Sequence, residues 1–484
     1  MHDVEQFALV ITVAAVALLL AVGSSRITSW THVPSPALFL VAASVCADLF
    51  PDLGSLSMVT DQRIVTVAIV VILFDGGMHI GLSRFRPVAG AVVWLGVAGT
   101  FVTAGALALG AHLLLGFDWR PALLLGTALA PTDPATVFSV LGRREVQGRT
   151  GTLLEGEAGA NDPVGIALMV AILGSAGAGW HAVGHGVLEF ALQMVLGIAF
   201  GVAGGLGLRW LLRHLPMPND ALYPLRAVAF ALLVYGVTTA AHGSGFLAVL
   251  LTGILVGDTR APYKREVEHF ASALASLAEI VAFTVLGLSI PLSDAFGEGH
   301  VWTGLGLAAL LFLVVRPVLV GLVLAPIRLH RGERAFVLWS GLKGVVPILL
   351  GTYAVVEAAP EADRIYAVVF VVVLLSVTVQ GGLVPTLAKV WQVPMRVTEP
   401  EPWAMGMRFR DQPEGLQRYV VEHGSQAEGA TIRDLPLDED VWVSVVSRGG
   451  RMVQVSGSTT LEAGDEVLAI TSDSTLAAGL FRRV

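Results

Sequence analysis

The sequence predicts an all-α polytopic membrane protein that ends in a small α/β cytoplasmic domain. Three observations carry that expectation. Of 484 residues, 55% are hydrophobic and only 14% are charged, against about 25% charged in a soluble chain. The mean hydropathy is +0.74. Apolar stretches of span length recur as far as residue 391, and the composition turns polar after residue 396. The expected organisation is a transmembrane domain over 1–396, a linker over 397–415 marked by Pro400, Pro402 and Pro413, and a tail domain over 416–484.

Thirteen spans are expected, at 7–22, 35–50, 63–80, 88–116, 121–141, 150–174, 186–211, 223–242, 245–257, 269–290, 301–325, 334–356 and 364–391. The first twenty residues lack a basic n-region, so the first run is expected to be a retained span. The ninth is short. Merging it with the eighth would exceed the roughly 20 residues of one crossing. Basic residues test the count. One set of alternate loops holds 17 of them, from Arg26 through Arg84, Arg143, Arg209, Arg260 and Arg328 to Arg396, and the opposite set holds 3, Arg63, Arg120 and Arg364. The basic set is expected to be cytoplasmic, which puts the N-terminus outside and the C-terminus inside.

Span six carries Asn161-Asp162-Pro163. A carboxylate near the bilayer centre costs roughly 2.5–3.5 kcal/mol, so it is expected to be functional. Pro163 removes a backbone N–H beside it and is expected to loosen the helix. Such an acid suits the binding and release of a cation or a proton.

Spans five and twelve are expected to break. Span five contains Ala130-Pro131-Thr132-Asp133-Pro134, and span twelve contains Gly341-Leu342-Lys343-Gly344-Val345-Val346-Pro347. They lie seven spans apart, so repeats over spans 1–6 and 8–13 would have opposite orientation. Broken segments in matching positions of two halves point to a transporter site. Unwound backbone is tolerated there because it lines a cavity or is buried in protein. Asp133 and Lys343 have the signs that neutralise facing half-helix ends, which makes them candidates for structure as much as for transport.

Other intramembrane charges have two readings each. Asp75, in Leu73-Phe74-Asp75-Gly76-Gly77, lines a cytoplasmic funnel or sits at the interface. Glu157 precedes Asp162 by five residues, which turns it about 140° away on an ideal helix. It is expected to pair with a cation on a neighbouring helix. Arg316, beside Pro317, is either that partner or a snorkelling residue. The single cysteine, Cys46, excludes a disulfide within the chain. No metal-ligand spacing, Walker loop or nucleophile elbow is present, so neither an enzyme activity, a resident cofactor nor a nucleic-acid partner is expected.

In the tail, Gln417–Glu422, Val441–Val446 and Glu466–Thr471 read as strands, with turns at Gly424-Ser425 and Gly464-Asp465 and a terminal helix. A regulatory or dimerising module is expected.

Four segments in order carry a family resemblance: FDGG at 74–77, PTDPATVFSVL at 131–141, LEGEAGANDPVGIAL at 154–168 and GLKGVVPI at 341–348. Together they resemble the NhaP-type monovalent cation–proton antiporters over residues 5–392. The resemblance implies thirteen helices, two inverted repeats, crossed unwound helices and a homodimer in the inner membrane. It implies that Asp162 binds the monovalent cation and the proton, that Thr132 and Asp133 lie beside it, and that Asn161 stabilises the crossing. Lys343, Glu157, Arg316 and Asp75 would be supporting charges. The Asn-Asp pair is typical of electroneutral members. Two departures stand out. Lys343 occupies a position where the family usually has Arg, so charge is kept and the bidentate fork is lost. Ala158 stands where many members have Ser, which removes a hydroxyl ligand.

The tail resembles the TrkA-C regulatory domain through Glu422–Gly429, Arg433-Asp434-Leu435 and Leu461–Val467. That resemblance implies a small-molecule or cyclic-dinucleotide ligand and leans the substrate towards potassium. The expected function is exchange of K⁺ and/or Na⁺ for H⁺ across the bilayer by alternating access. The rivals are a tail-gated potassium channel, which single-channel conductance would reveal, and a non-transporting cation sensor, which absent flux would reveal. No TVGYG-like carbonyl filter supports the channel.

Overall fold

Serine and glycine cap several of the helices of this chain, Ser57 and Ser244 at starts and Gly116 at an end. The computed structural model describes residues 19, 23, 34–50, 57–141, 144–146, 148–174, 180–259, 261–297, 299–397, 416–436, 441–449, 451–471 and 480–483. Expected span one (residue 19 apart), Arg26, Arg143, Arg260, linker residues 398–415 and tail residues 472–479 lie outside them. The chain divides into two units, Met1–Pro400 and Glu401–Val484.

The first unit is helical. Its long elements are α1 (Ser35–Leu49), α2 (Met58–Phe85), α3 (Ala89–Leu115), α4 (Trp119–Ala128) and α5 (Pro134–Leu141). After strand β1 (Arg144–Val146) come α6 (Gly148–Gly174), α7 (Trp180–His214), α8 (Leu222–Ala240), α9 (Gly245–Gly257) and α10 (Lys264–Leu288). Then follow α11 (His300–Leu324), α12 (Arg331–Trp339), α13 (Val345–Val356) and α14 (Ala362–Val390). Strand β2 (Met395–Val397) pairs antiparallel with β1, Val146 opposite Met395.

Seven helices among the described residues are long and apolar enough to cross a membrane. Three of the other expected spans fall short for identifiable reasons. Spans five and twelve are each two half-helices. Span nine, the short one, is a helix of 13 residues that starts where the Ser244 hydroxyl accepts the Leu247 N–H. It packs against α2 and α7. The expected total of thirteen is therefore not read from the structure, although expected spans two to thirteen all coincide with helices.

Pro163 does not break its helix. The α6 helix runs unbroken from Gly148 to Gly174 with the proline inside it, so the expected loosening is confined to one missing hydrogen bond. The irregular helices lie elsewhere. In α11, Leu311–Val320 is π-helical around Pro317, and in α14 Ser376–Gln380 is π-helical.

The second unit is a five-stranded antiparallel sheet: β3 (Leu416–Val420), β4 (Val441–Arg448), β5 (Arg451–Val453), β6 (Glu466–Thr471) and β7 (Arg482–Arg483). The order is β5-β4-β6-β3-β7. Tyr419, Val446, Val467 and Phe481 fill its core. Strands β5 and β7 were not expected from the sequence. The expected terminal helix lies in residues outside the description, apart from Leu480.

One ion pair secures this sheet. Asp465 is fully buried beside the Gly464 turn. Its two oxygens accept Arg448 Nε and Nη2 at 2.8 Å each, and the Glu462 N–H at 2.8 Å. Burial pushes the carboxyl up, but the Arg448 fork and the Glu462 amide outweigh it and hold Asp465 below the usual carboxylate range. The folded value is depressed, so the stabilisation is fully present above about pH 4 and is lost as pH falls through the native value. Arg448→Ala should therefore lower hydrogen-exchange protection of the β6 amides at pH 7. The gap from wild type should narrow below about pH 4 and close only once pH has fallen through the depressed native value, where Asp465 is protonated in both. A gap that is constant with pH would contradict the assignment.

Candidate functional site

The break in span five follows from its two prolines. Residues before proline avoid helical backbone, so α4 stops at Ala128 ahead of Pro131. Pro134 then suits the first position of α5. Asp133 is the N-cap: its carboxylate accepts the Ala135 N–H at 2.9 Å, the Thr136 N–H at 3.5 Å and the Thr136 hydroxyl at 2.8 Å.

The break in span twelve meets it. The Asp133 N–H donates to the Leu342 carbonyl at 2.8 Å. Two glycines make this approach feasible. A Cβ on Gly344 would overlap the Asp133 carboxylate, and a Cβ on Gly341 would overlap the Arg316 guanidinium. Gly344 is the N-cap of α13. Asp133 thus sits against the positive ends of α5 and α13.

The negative ends receive the cations. Lys343 is fully buried, and its Nζ donates to the carbonyls of Ala130 and Pro131 at 2.9 Å each, just past the end of α4. Arg316 is buried too. Its Nε and Nη2 donate to the carbonyls of Leu338 and Val337 at 3.1 and 3.0 Å, at the end of α12. Its Nη1 donates to Glu157 Oε1 at 2.8 Å, with both side chains buried. Arg316 is therefore both the partner of Glu157 and a helix cap, and it does not snorkel.

Two polar residues of α14 complete the support. The Lys343 N–H donates to the Ser376 hydroxyl at 2.9 Å, and that hydroxyl donates to Gln380 Oε1 at 2.8 Å. Gln380 Nε2 donates to the Trp339 carbonyl at 2.6 Å. Sequence reasoning missed this pair. Its signal was two polar residues one turn apart inside an apolar span.

Asn161 ties α6 to the crossing. Its Oδ1 accepts the Thr132 N–H at 3.2 Å, and its Nδ2 donates to Thr132 Oγ1 at 2.7 Å. Asp162, the next residue, points into a small cavity together with Thr132, Asp133, Ala135 and Glu279. Ile69, Ile72 and Leu73 of α2 and Val345, Val346 and Pro347 of α13 close it. Asp162 Oδ1 is buried without a hydrogen-bond partner among the described residues. Glu279, in the middle of α10, was overlooked in the sequence, although an acid inside an apolar span was the available signal.

Asp75 is not part of this lining. It lies on α2, where it accepts the Ser272 hydroxyl of α10 at 2.9 Å and faces His79 Nδ1 at 3.4 Å. No group of three or more His, Cys, Asp and Glu residues fit to hold a metal ion occurs among the described residues.

Comparison with known proteins follows the same lines. The profile of the family described as sodium/hydrogen exchanger, transmembrane, matches residues 11–390, and that of the TrkA-C domain matches residues 416–482. The chain is 34% identical over 391 residues to the K(+)/H(+) antiporter NhaP of Alkalimonas amylolytica, covering 80% of this chain and 67% of that one. It is 30% identical over 480 residues to the K(+)/H(+) antiporter NhaP2 of Shewanella sp. (strain MR-4), covering 96% and 81%. The fold matches the sodium proton antiporter MjNhaP1 from Methanocaldococcus jannaschii with a TM-score of 0.68 at 22% identity, over 82% of this chain and 99% of that one.

Lys343→Ala should orphan two buried carbonyls, each costing about 1–3 kcal/mol. Lys343→Arg retains the charge and should keep much of both stability and flux. Melting temperatures and cation flux in liposomes check this. Wild-type melting and flux in Lys343→Ala would rule out the capping role.

Proposed function

The chain belongs to the sodium/hydrogen exchanger family of secondary transporters, and on that premise we propose that it exchanges K⁺ and/or Na⁺ for H⁺ at Asp162 by alternating access. One observation carries the reading. Of the acids at the crossing that sequence analysis singled out, Asp133 is engaged by helix-cap donors and Glu157 by Arg316, whereas Asp162 keeps an unpartnered buried oxygen facing a cavity. A bare carboxylate in such surroundings needs a proton or a cation beside it. Thr132 and Asn161 hold the unwound backbone in register with Asp162. Lys343, Arg316 and Glu157 keep the crossing rigid, and Asp75 fastens α2 to α10. The names of the K(+)/H(+) antiporter relatives support potassium as a substrate.

The proposal extends to four further points. Exchange is one-for-one and electroneutral. The protein sits in the inner membrane with its N-terminus outside and its C-terminus in the cytoplasm, supported by the 17-to-3 distribution of basic residues. It works as a homodimer. The TrkA-C domain controls transport through a small ligand, with a cyclic dinucleotide as the candidate class.

Asp162→Asn should abolish exchange in liposomes while the protein stays folded. In wild type, protons and cations should compete. Activity against pH should form a bell whose acidic limb moves to lower pH as cation concentration rises. The alkaline limb reflects too few returning protons. Initial rates of Na⁺ exchange across pH, with and without a valinomycin-clamped voltage, test this. An acidic limb that stays fixed contradicts a shared site, and a strong voltage dependence contradicts electroneutral exchange.

Deleting residues 413–484 should leave a transporting core with altered apparent affinity or pH dependence. A truncated protein that folds but transports under no pH or cation condition would refute the regulatory reading.

A further inference from the structure

Glu279 is an acid of the Asp162 cavity that the proposed exchange leaves unused. It lies in the middle of α10, and its Oε1 is buried without a hydrogen-bond partner among the described residues. It lines the Asp162 cavity from a different helix. The neighbouring lining is otherwise mostly aliphatic, so a polar oxygen left unpaired there is costly. The orientation of α10 is fixed nearby. Ser272, two turns before Glu279 and on the same face, is bonded to Asp75 of α2.

We propose that Glu279 is a second ligand for the transported cation, reaching it from α10 opposite Asp162 on α6. This rests on the reading of Asp162 as the exchange site. A small hard cation stripped of water needs several oxygens around it. Asp133 spends its carboxylate on the cap of α5, and Thr132 Oγ1 already accepts a hydrogen bond from Asn161. Ala158 contributes no hydroxyl. The carboxylate oxygens of the lining without a hydrogen-bond partner among the described residues are Asp162 Oδ1 and Glu279 Oε1, on one cavity of about 40 Å³. That space suits a dehydrated ion with a water. If both acids were ionised, one monovalent cation would leave an uncompensated negative charge, so a proton accompanies the pair. A protonated carboxyl still offers its carbonyl oxygen as a ligand, and one-for-one exchange is preserved.

The test uses the full chain with Glu279→Gln, which keeps one oxygen, and Glu279→Leu, which keeps none. Asp162→Asn runs beside them. Melting temperature reports folding. Binding of ⁸⁶Rb⁺ and ²²Na⁺ to purified protein reports ligation without turnover, and flux in liposomes gives the half-saturating cation concentration. Glu279→Leu should raise half-saturation at least tenfold and weaken isotope binding to match, with Glu279→Gln intermediate. Wild-type binding and half-saturation in either folded variant overturn the proposal. So does a loss of maximal rate or melting temperature alone, which marks a packing role. If Glu279→Leu does not fold, Glu279→Gln decides. Exchange retained by Asp162→Asn defeats the underlying site assignment instead, whatever Glu279 does.

Discussion

Four half-helix ends meet in the middle of this chain, and their charges must be met without water. Each end carries unsatisfied backbone groups and a partial charge of about half a unit. In a bilayer the backbone groups have no solvent to turn to. The structure answers with full charges of opposite sign. Lys343 takes the carbonyls past the end of α4, and Arg316 takes those ending α12. Asp133 serves the start of α5 and lies against the start of α13. The rest of the core is arranged so that these contacts can form: glycine where side chains would collide, Ser376 and Gln380 where the backbone needs partners, Glu157 where Arg316 would otherwise leave excess charge.

That accounting separates scaffold charges from working ones. A buried ion pair is costly to disturb from either side, so a residue bound into a cap is a poor carrier. Asp133, Glu157, Lys343 and Arg316 are all spoken for. Asp162 and Glu279 each retain an oxygen with no hydrogen-bond partner among the described residues. Their state can change while the crossing holds, and this is the property an exchanger needs at its site.

Much of this was legible in the sequence, because the physics is local. Two prolines around Asp133, and glycines flanking Lys343, specify breaks by backbone chemistry alone. The five-residue offset between Glu157 and Asp162 already turned the two acids to different partners. Asn161 was legible only through family resemblance. What escaped was set by contacts between distant segments. Glu279 reads as one more acid in an apolar helix until α10 is seen to face the Asp162 cavity. The capping of α12 by Arg316 depends on the distance between two helices, which no spacing reveals. Strand β5 is three residues long and has no periodicity to detect.

The proline beside Asp162 gains a different meaning from the unbroken course of α6. Were the helix broken there, its new N-terminus would claim the Asp162 carboxylate as a cap, as the start of α5 claims Asp133. A continuous helix presents no such ends at mid-span, and its carboxylate stays available. The site therefore combines two kinds of helix. The broken ones create a polar crossing and consume the charges that stabilise it. The intact ones, α6 and α10, bring acids to that crossing with an oxygen that has no hydrogen-bond partner among the described residues. Selectivity between a proton and a cation then falls to those acids and to the few oxygens within their reach.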